Sequence, residues 1–131
     1  MTYKALGESG VRDLFAAAKS SKPGLSYTIV RPGGLTLDST AGAAAVELSQ
    51  GDVKSGRIAR ADVAELCLES ISSKAAAGAT FECYNADTAK PLDSVGLSNL
   101  LKQTSEPEKP QTGALRGETW AALLSGLRSD S

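Results

Sequence analysis

Between residues 27 and 35 the chain reads Tyr-Thr-Ile-Val-Arg-Pro-Gly-Gly-Leu. β-Branched and aromatic residues favour an extended, packed backbone. This run enters Arg31-Pro32-Gly33-Gly34, where proline removes an amide donor and the glycines free the backbone to turn. The segment therefore predicts a buried parallel strand over 26–31 with an abrupt carboxyl end. In open α/β sheets the crevice beyond the carboxyl ends of the strands holds the ligand. The same nine residues thus predict a ligand edge.

The flanks fit an alternating architecture. Upstream, Gly7, Gly10, Val11, Leu14, Phe15 and Ala18 recur at three- and four-residue steps and predict a helix over 3–20. Two glycines on that face cost about 1 kcal/mol each against alanine, which is tolerable where the helix packs closely on another element. Lys22-Pro23-Gly24 stops it. Downstream, residues 36–45 are rich in alanine and glycine and predict a pliable loop. Val46-Glu47-Leu48 and Gly56-Arg57-Ile58, on either side of a Gln50-Gly51-Asp52 turn, predict a small hairpin-like excursion.

Arg60-Ala61-Asp62 opens the most periodic helix, with Val63, Leu66, Cys67, Ser70 and Ile71 on one face and Glu65 and Glu69 on the other. Asp62 suits the amide-rich amino end. Ala77-Gly78 closes the helix, and residues 80–85 alternate as a second strand. Asp93 is placed to cap a short helix carrying Leu97, Leu100 and Leu101. Residues 104–113 read as a linker, and 119–127 put Trp120, Leu123, Leu124 and Leu127 on one stripe. Two strands joined through a helix predict a parallel pair. The expectation is an α/β fold: a short parallel sheet with flanking helices over 1–103, then a linker and a terminal helix over 104–131.

Composition narrows the chemistry. A formal charge of −1, from 14 basic and 15 acidic residues, gives no electrostatic case for nucleic acid or an anionic membrane. No apolar run approaches the roughly 20 residues of a membrane span, and Tyr3, Lys4, Glu8, Arg12 and Asp13 interrupt any secretory signal pattern. With no histidine, the chain lacks the Ser-His-Asp and Cys-His arrangements and the imidazole metal ligands, so no metal site is expected. Cys67 and Cys83 form no C-x-x-C pair and are expected as two buried thiols.

Taken in order, Tyr27 to Leu35, Ile58-Ala59-Arg60-Ala61-Asp62-Val63-Ala64 and Thr80-Phe81-Glu82-Cys83 resemble the carboxyl-terminal half of an atypical short-chain dehydrogenase/reductase. The closest branch is the NmrA-like, NAD(P)-binding group of bacteria and plastids, and the resemblance covers about residues 4–90. It implies a partial Rossmann-like domain, NAD(P) as cofactor with NADP foremost, oxidoreductase chemistry, and a cytoplasmic or plastid-stroma setting. Arg31, Pro32, Gly33 and Gly34 would line the nicotinamide end of the cofactor. Lys4 and Glu8 match the Lys and Glu of the family's Tyr-x-x-x-Lys-x-x-x-Glu pattern, which makes Lys4 the candidate catalytic residue; the Tyr position falls before Met1. Arg60 and Asp62 are architectural in the family.

The family's phosphate cradle is a Gly-x-x-Gly-x-x-Gly turn after a strand, with amides and a helix amino end against the pyrophosphate. These 131 residues contain no such turn, and Gly7-x-x-Gly10 lies within a predicted helix. The resemblance therefore implies a dinucleotide site only if a phosphate-binding half is supplied. The alternative is a non-catalytic interaction module that completes its sheet with a second copy or another protein. Loop 36–56 would shape a substrate pocket, with Asp38, Ser39, Thr40, Glu47 and Asp52 as its chemistry.

Overall fold

The Thr-Ile-Val run is a strand, and it lies at the margin of a four-stranded sheet. A computed structural model describes residues 3–92 and 112–130. Helix α1 spans Tyr3–Ala18 and strand β1 Thr28–Pro32; then come β2 (Gly34–Thr36), β3 (Val46–Gln50), β4 (Lys54–Ser55) and β5 (Arg57–Ala59). Helix α2 (Arg60–Ile71), β6 (Ala79–Asn85), β7 (Lys90–Pro91), β8 (Thr112–Leu115) and a short α3 (Trp120–Leu124) complete the order. The helix expected after Asp93 and the boundary at residues 103/104 lie outside the described residues.

The main sheet runs β1-β6-β3-β8. β1 and β6 are parallel, with Val30 opposite Phe81 and Arg31 opposite Glu82. The α/β class and the parallel pair are as expected, but the sheet is mixed: β3 is antiparallel to both β6 and β8. The expected hairpin is the source of the difference. Val46–Gln50 is buried at every position and enters the sheet interior, while β5 runs parallel to β2. The two halves of the excursion thus separate into different sheets. Gly51 and Asp52, with φ of 107° and 55°, make the turn between them, and in that left-handed region glycine is unstrained.

One face of the sheet is apolar. Val46, Leu48, Phe81 and Cys83 pack with Ile58, Leu66, Leu123, Leu124 and Leu127 to form the core. Helix α2 buries Asp62, Leu66 and Ser70, a stripe rotated from the expected one. Cys67 is exposed and Ile71 is 84% exposed, so only one of the two thiols is buried. Ser70 is tolerated inside because its hydroxyl donates to the Leu66 carbonyl at 2.7 Å. The terminal stripe forms as expected: Thr119 Oγ1 accepts from the Ala122 amide at 3.1 Å, and Trp120 Nε1 donates to Glu65 of α2 at 3.2 Å. The Gln50 amide then clasps Arg128, donating to its carbonyl at 2.8 Å and accepting from its amide at 3.1 Å.

The opposite face is polar, since residues alternate sides along a strand. Glu47, Ser49, Thr80, Glu82 and Tyr84 are all buried. Lys54 Nζ lies 2.7 Å from Glu47 Oε2, the Asp52 amide donates to Glu82, and Tyr84 donates its hydroxyl proton to the Lys54 carbonyl at 2.8 Å. Helix α1 covers this face through charge. Glu8 holds Arg31 at 2.7 and 3.2 Å, and Arg31 also lies 3.9 Å from Glu82. Arg12 donates to Thr80 at 2.8 Å and to Asp130 at 3.2 Å.

The half-buried residues of α1 are Ala5, Glu8, Arg12, Phe15 and Ala18; of the expected face Phe15 and Ala18 turn inward, and Gly7, Gly10, Val11 and Leu14 do not. A Cβ added to Gly7 or Gly10 would meet nothing within 4 Å. The face is turned because Glu8 and Arg12 have partners on the sheet and the glycine stripe has none in the described fold.

Removing the Arg31 cation takes a counter-charge from both Glu8 and Glu82, whose side chain is almost wholly buried. Arg31→Met is expected to lower the unfolding free energy by about 3 kcal/mol. Glu8→Gln, at a partly solvated position, is expected to cost about 1 kcal/mol or less. Urea denaturation of the two variants beside the wild type checks the order.

Candidate functional site

Because β1 and β6 are parallel, their carboxyl ends open on the same side of the sheet. Beyond β1 the backbone is stitched twice: the Gly33 amide donates to the Cys83 carbonyl at 3.0 Å, and the Gly34 amide to the Gly56 carbonyl at 2.9 Å. Of the residues that sequence reasoning proposed for the cofactor, Arg31 turns its guanidinium to Glu8 and Glu82. Pro32 and Gly34 are exposed at the strand end. Gly33 has no room for a side chain: a Cβ there would lie 2.5 Å from the Gly56 carbonyl oxygen and 2.8 Å from the Tyr84 ring. Its bareness thus has an internal reason, the meeting of two backbones against an aromatic edge. At Gly34 a Cβ would make only ordinary contacts, 3.6 Å from the Arg57 side chain and 3.7 Å from the Gly56 carbonyl oxygen, and the residue is exposed.

Lys4 is exposed on the first turn of α1, and Glu8, one turn on, is the residue that grips Arg31. The Lys4/Glu8 pattern and the Arg-Pro-Gly-Gly segment are therefore joined by an ion pair across the helix–sheet interface.

Beyond the carboxyl end of β6 lies an open cleft of about 650 Å³. Its polar lining is Asp38, Ser39, Asn85, Asp87 and Arg116, and alanines form the rest. Asp38 and Ser39 are the loop residues that sequence reasoning named. Glu47 and Asp52 lie elsewhere, on the polar face of the sheet. Asn85, Asp87 and Arg116 were missed as site residues. Asn-Ala-Asp directly after a strand is a visible signal for the first two; Arg116 carries no local signal and reaches the cleft only by tertiary folding, donating to the Ala44 carbonyl at 2.6 Å.

Asp62 builds this cleft from behind. Its buried carboxylate accepts from the amides of Ala41 and Gly42 at 3.1 Å and from the Asn85 side chain at 3.2 Å. Asn85 in turn accepts from the Ala59 amide at 3.1 Å. One carboxylate at the start of α2 thereby pins the 38–45 loop to the end of β6, where the helix dipole favours its charge. Gly42, with φ of 88°, gives the loop the conformation that presents its amide.

Three groups near the strand ends are held protonated. Burial, reinforced by Cys67 and Glu82, pushes the Cys83 thiol up to about 12. Burial and the Glu82 charge raise the Tyr84 phenol. Burial and the hydrogen bond to Asp130 raise Tyr27. Cys83 and Tyr84 act here as packing groups and, for Tyr84, as a hydrogen-bond donor. Among the described residues no group of three or more Cys, Asp or Glu side chains is arranged to hold a metal ion, and no helix is long and apolar enough to cross a membrane.

Residues 5–74 match the profile of an NAD(P)H-binding family. The matched span runs from α1 past the end of α2 and includes Arg31 to Gly34 and Asp62. No curated protein matches the chain.

Gly33→Ala is expected to destabilise by about 1–3 kcal/mol, through overpacking against Gly56 and Tyr84, and Gly34→Ala by less than about 0.5 kcal/mol; thermal melts compare them. A second expectation concerns pH. Cys83 keeps its proton in the fold above the ordinary thiol value of 9.0, so the native state binds more protons than the unfolded chain from there to about pH 12. Stability is complete below pH 9 and falls above it, by up to about 1.4 kcal/mol per pH unit from this group. Urea titrations at neutral and alkaline pH should show a shallower fall for Cys83→Ala.

Proposed function

This chain belongs to the NAD(P)H-binding family, and on that premise we propose that it supplies the nicotinamide-side half of an atypical short-chain dehydrogenase/reductase of the NmrA-like branch. The observation that carries the reading is that the matched span contains a parallel strand whose carboxyl end leads into an exposed glycine, Gly34, while a cleft opens beyond the carboxyl end of the neighbouring parallel strand β6.

The residues fit one end of a dinucleotide. Pro32 and Gly34 would face the nicotinamide, with NADP the preferred form. Arg31 would act from behind, fixing β1 against α1, and Lys4 would approach the cofactor ribose from the first turn of α1. The pyrophosphate needs a turn of amides that these residues do not contain, so it must be held by another segment. A bound nicotinamide would exchange hydride with a substrate. The cleft bounded by Asp38, Ser39, Asp87 and Arg116 would orient that substrate through a guanidinium fork and two carboxylates.

A second reading has its own observation. β1 is one of the two edge strands of the main sheet, and among the described residues no strand pairs with it on its outer side. Sheet edges recruit strands, so a non-catalytic module could complete its sheet there with a partner chain. Both readings put a strand beside β1; they differ in whether the completed unit binds a dinucleotide.

NADPH fluorescence titration separates them. The 131-residue chain alone should show no saturable binding in the micromolar range. The chain completed with a Gly-x-x-Gly-x-x-Gly-bearing amino-terminal half of a family member should show it, and Gly34→Leu should weaken it at least tenfold. Completion without binding favours the interaction module. Binding that is indifferent to Gly34→Leu contradicts the placement of the nicotinamide.

A further inference from the structure

We infer that Arg57 and Lys4 form an anion-binding site over the exposed backbone at Gly34. Arg57 stands on β5 directly opposite Gly34 of β2, and its Cγ would lie 3.6 Å from a Cβ placed on that glycine. The stem of the side chain therefore runs alongside the bare face of Gly34. Ile58, the next residue, turns into the core, so Arg57 turns away from the core, as alternation along a strand requires. Its backbone is fixed: the Arg57 amide donates to Thr88 Oγ1 at 2.9 Å, and the Gly34 amide beside it donates to the Gly56 carbonyl at 2.9 Å. Arg12 and Arg31 are ion-paired, and Arg116 donates to the Ala44 carbonyl. Arg57 is exposed, and among the described residues its guanidinium has no ion pair.

Helix α1 brings the second cation. Its contacts step backwards along β1: Phe15 meets Tyr27 edge-on, Arg12 donates to Thr80, the β6 neighbour of Ile29, and Glu8 holds Arg31. Four residues of helix rise about 6 Å and two residues of strand about 6.6 Å, so the next step places Lys4 over Gly33. Lys4 is exposed there, and among the described residues its ammonium has no ion pair, because Glu8, one turn on, is engaged by Arg31 and Arg12. Two cations from different elements thus flank one exposed glycine at the carboxyl end of a parallel strand. Their chemistry selects a carboxylate or a phosphate: the guanidinium offers a planar fork and the ammonium a point charge. The site stands without the dinucleotide reading. Within that reading the anion is either an acidic group of the substrate or the phosphate nearest the nicotinamide.

Amide chemical shifts of the 131-residue chain, titrated with malonate and with inorganic phosphate at low ionic strength, test this. Saturable shifts should centre on Lys4, Gly34 and Arg57. Arg57→Gln should weaken binding about fivefold or more, and Lys4→Gln about twofold. Both variants should keep the wild-type melting temperature, because neither charged group has a partner in the described fold. Lys74→Gln, which removes an exposed cation beyond the far end of α2, should leave binding unchanged. The tighter probe names the source: malonate a substrate carboxylate, phosphate a phosphate ester of the dinucleotide. Absence of saturable shifts at these residues overturns the inference. So does binding that survives Arg57→Gln, or an equal loss in Lys74→Gln. The dinucleotide reading fails by a different readout, NADPH titration of the completed chain.

Discussion

Arg31 stands between Glu8 of the helix and Glu82 of the central strand, and the layout of the molecule follows from that one bridge. With Arg12, which donates to Thr80, it links α1 to the polar face of the sheet beside β1. With Glu47, Ser49, Thr80, Glu82 and Tyr84 all turned to that side, an apolar helix stripe would have nothing to pack on. The helix therefore presents Glu8 and Arg12 inward, with Phe15 against Tyr27, and leaves Leu6 and Leu14 outward. A buried charge must be paired to be tolerated, so the same interaction that attaches α1 also fixes its rotation.

The division of the sheet into an apolar and a polar face separates stability from the site. The core of Leu, Val, Phe and Ala side chains lies with α2 and α3, and it holds β6 and β3 in the interior. The carboxyl ends of β1 and β6 are then free to be shaped by polar groups. Gly33 locks against Gly56 and Tyr84, Asp62 fastens the 38–45 loop to Asn85, and Gly34 is left exposed. The NAD(P)H-binding family match accords with this arrangement: a rigid strand end, an exposed glycine after it and a cleft beyond the neighbouring strand β6.

Much of this was legible in the sequence where the signal is local. The strand at β1, the periodic start of α2, the strand at β6 and the Leu123, Leu124, Leu127 stripe follow from patterns a few residues long. Legibility failed where partners are distant. Val46–Gln50 resembles half of a surface hairpin, because its true neighbours are β6 and β8, more than 30 residues away. The glycine face of α1 was taken as the packing face, because nothing near it announces that Glu82 and Thr80 sit on the sheet below. Gly33 was read as bare for a ligand, but the obstruction is Gly56 and Tyr84. In the cleft, Asp38 and Ser39 could be named from their loop; Arg116 could not, since it arrives from beyond residue 112.

Charge through Arg31, more than the single edge-on contact of Phe15 with Tyr27, holds α1 to the sheet. Hydrogen–deuterium exchange on Arg31→Met reads this segment by segment. The account predicts that amides of α1 lose protection while those of β3, β6 and α2, held by the apolar core, keep theirs. Unchanged protection across α1, with loss confined to the core strands, would contradict it.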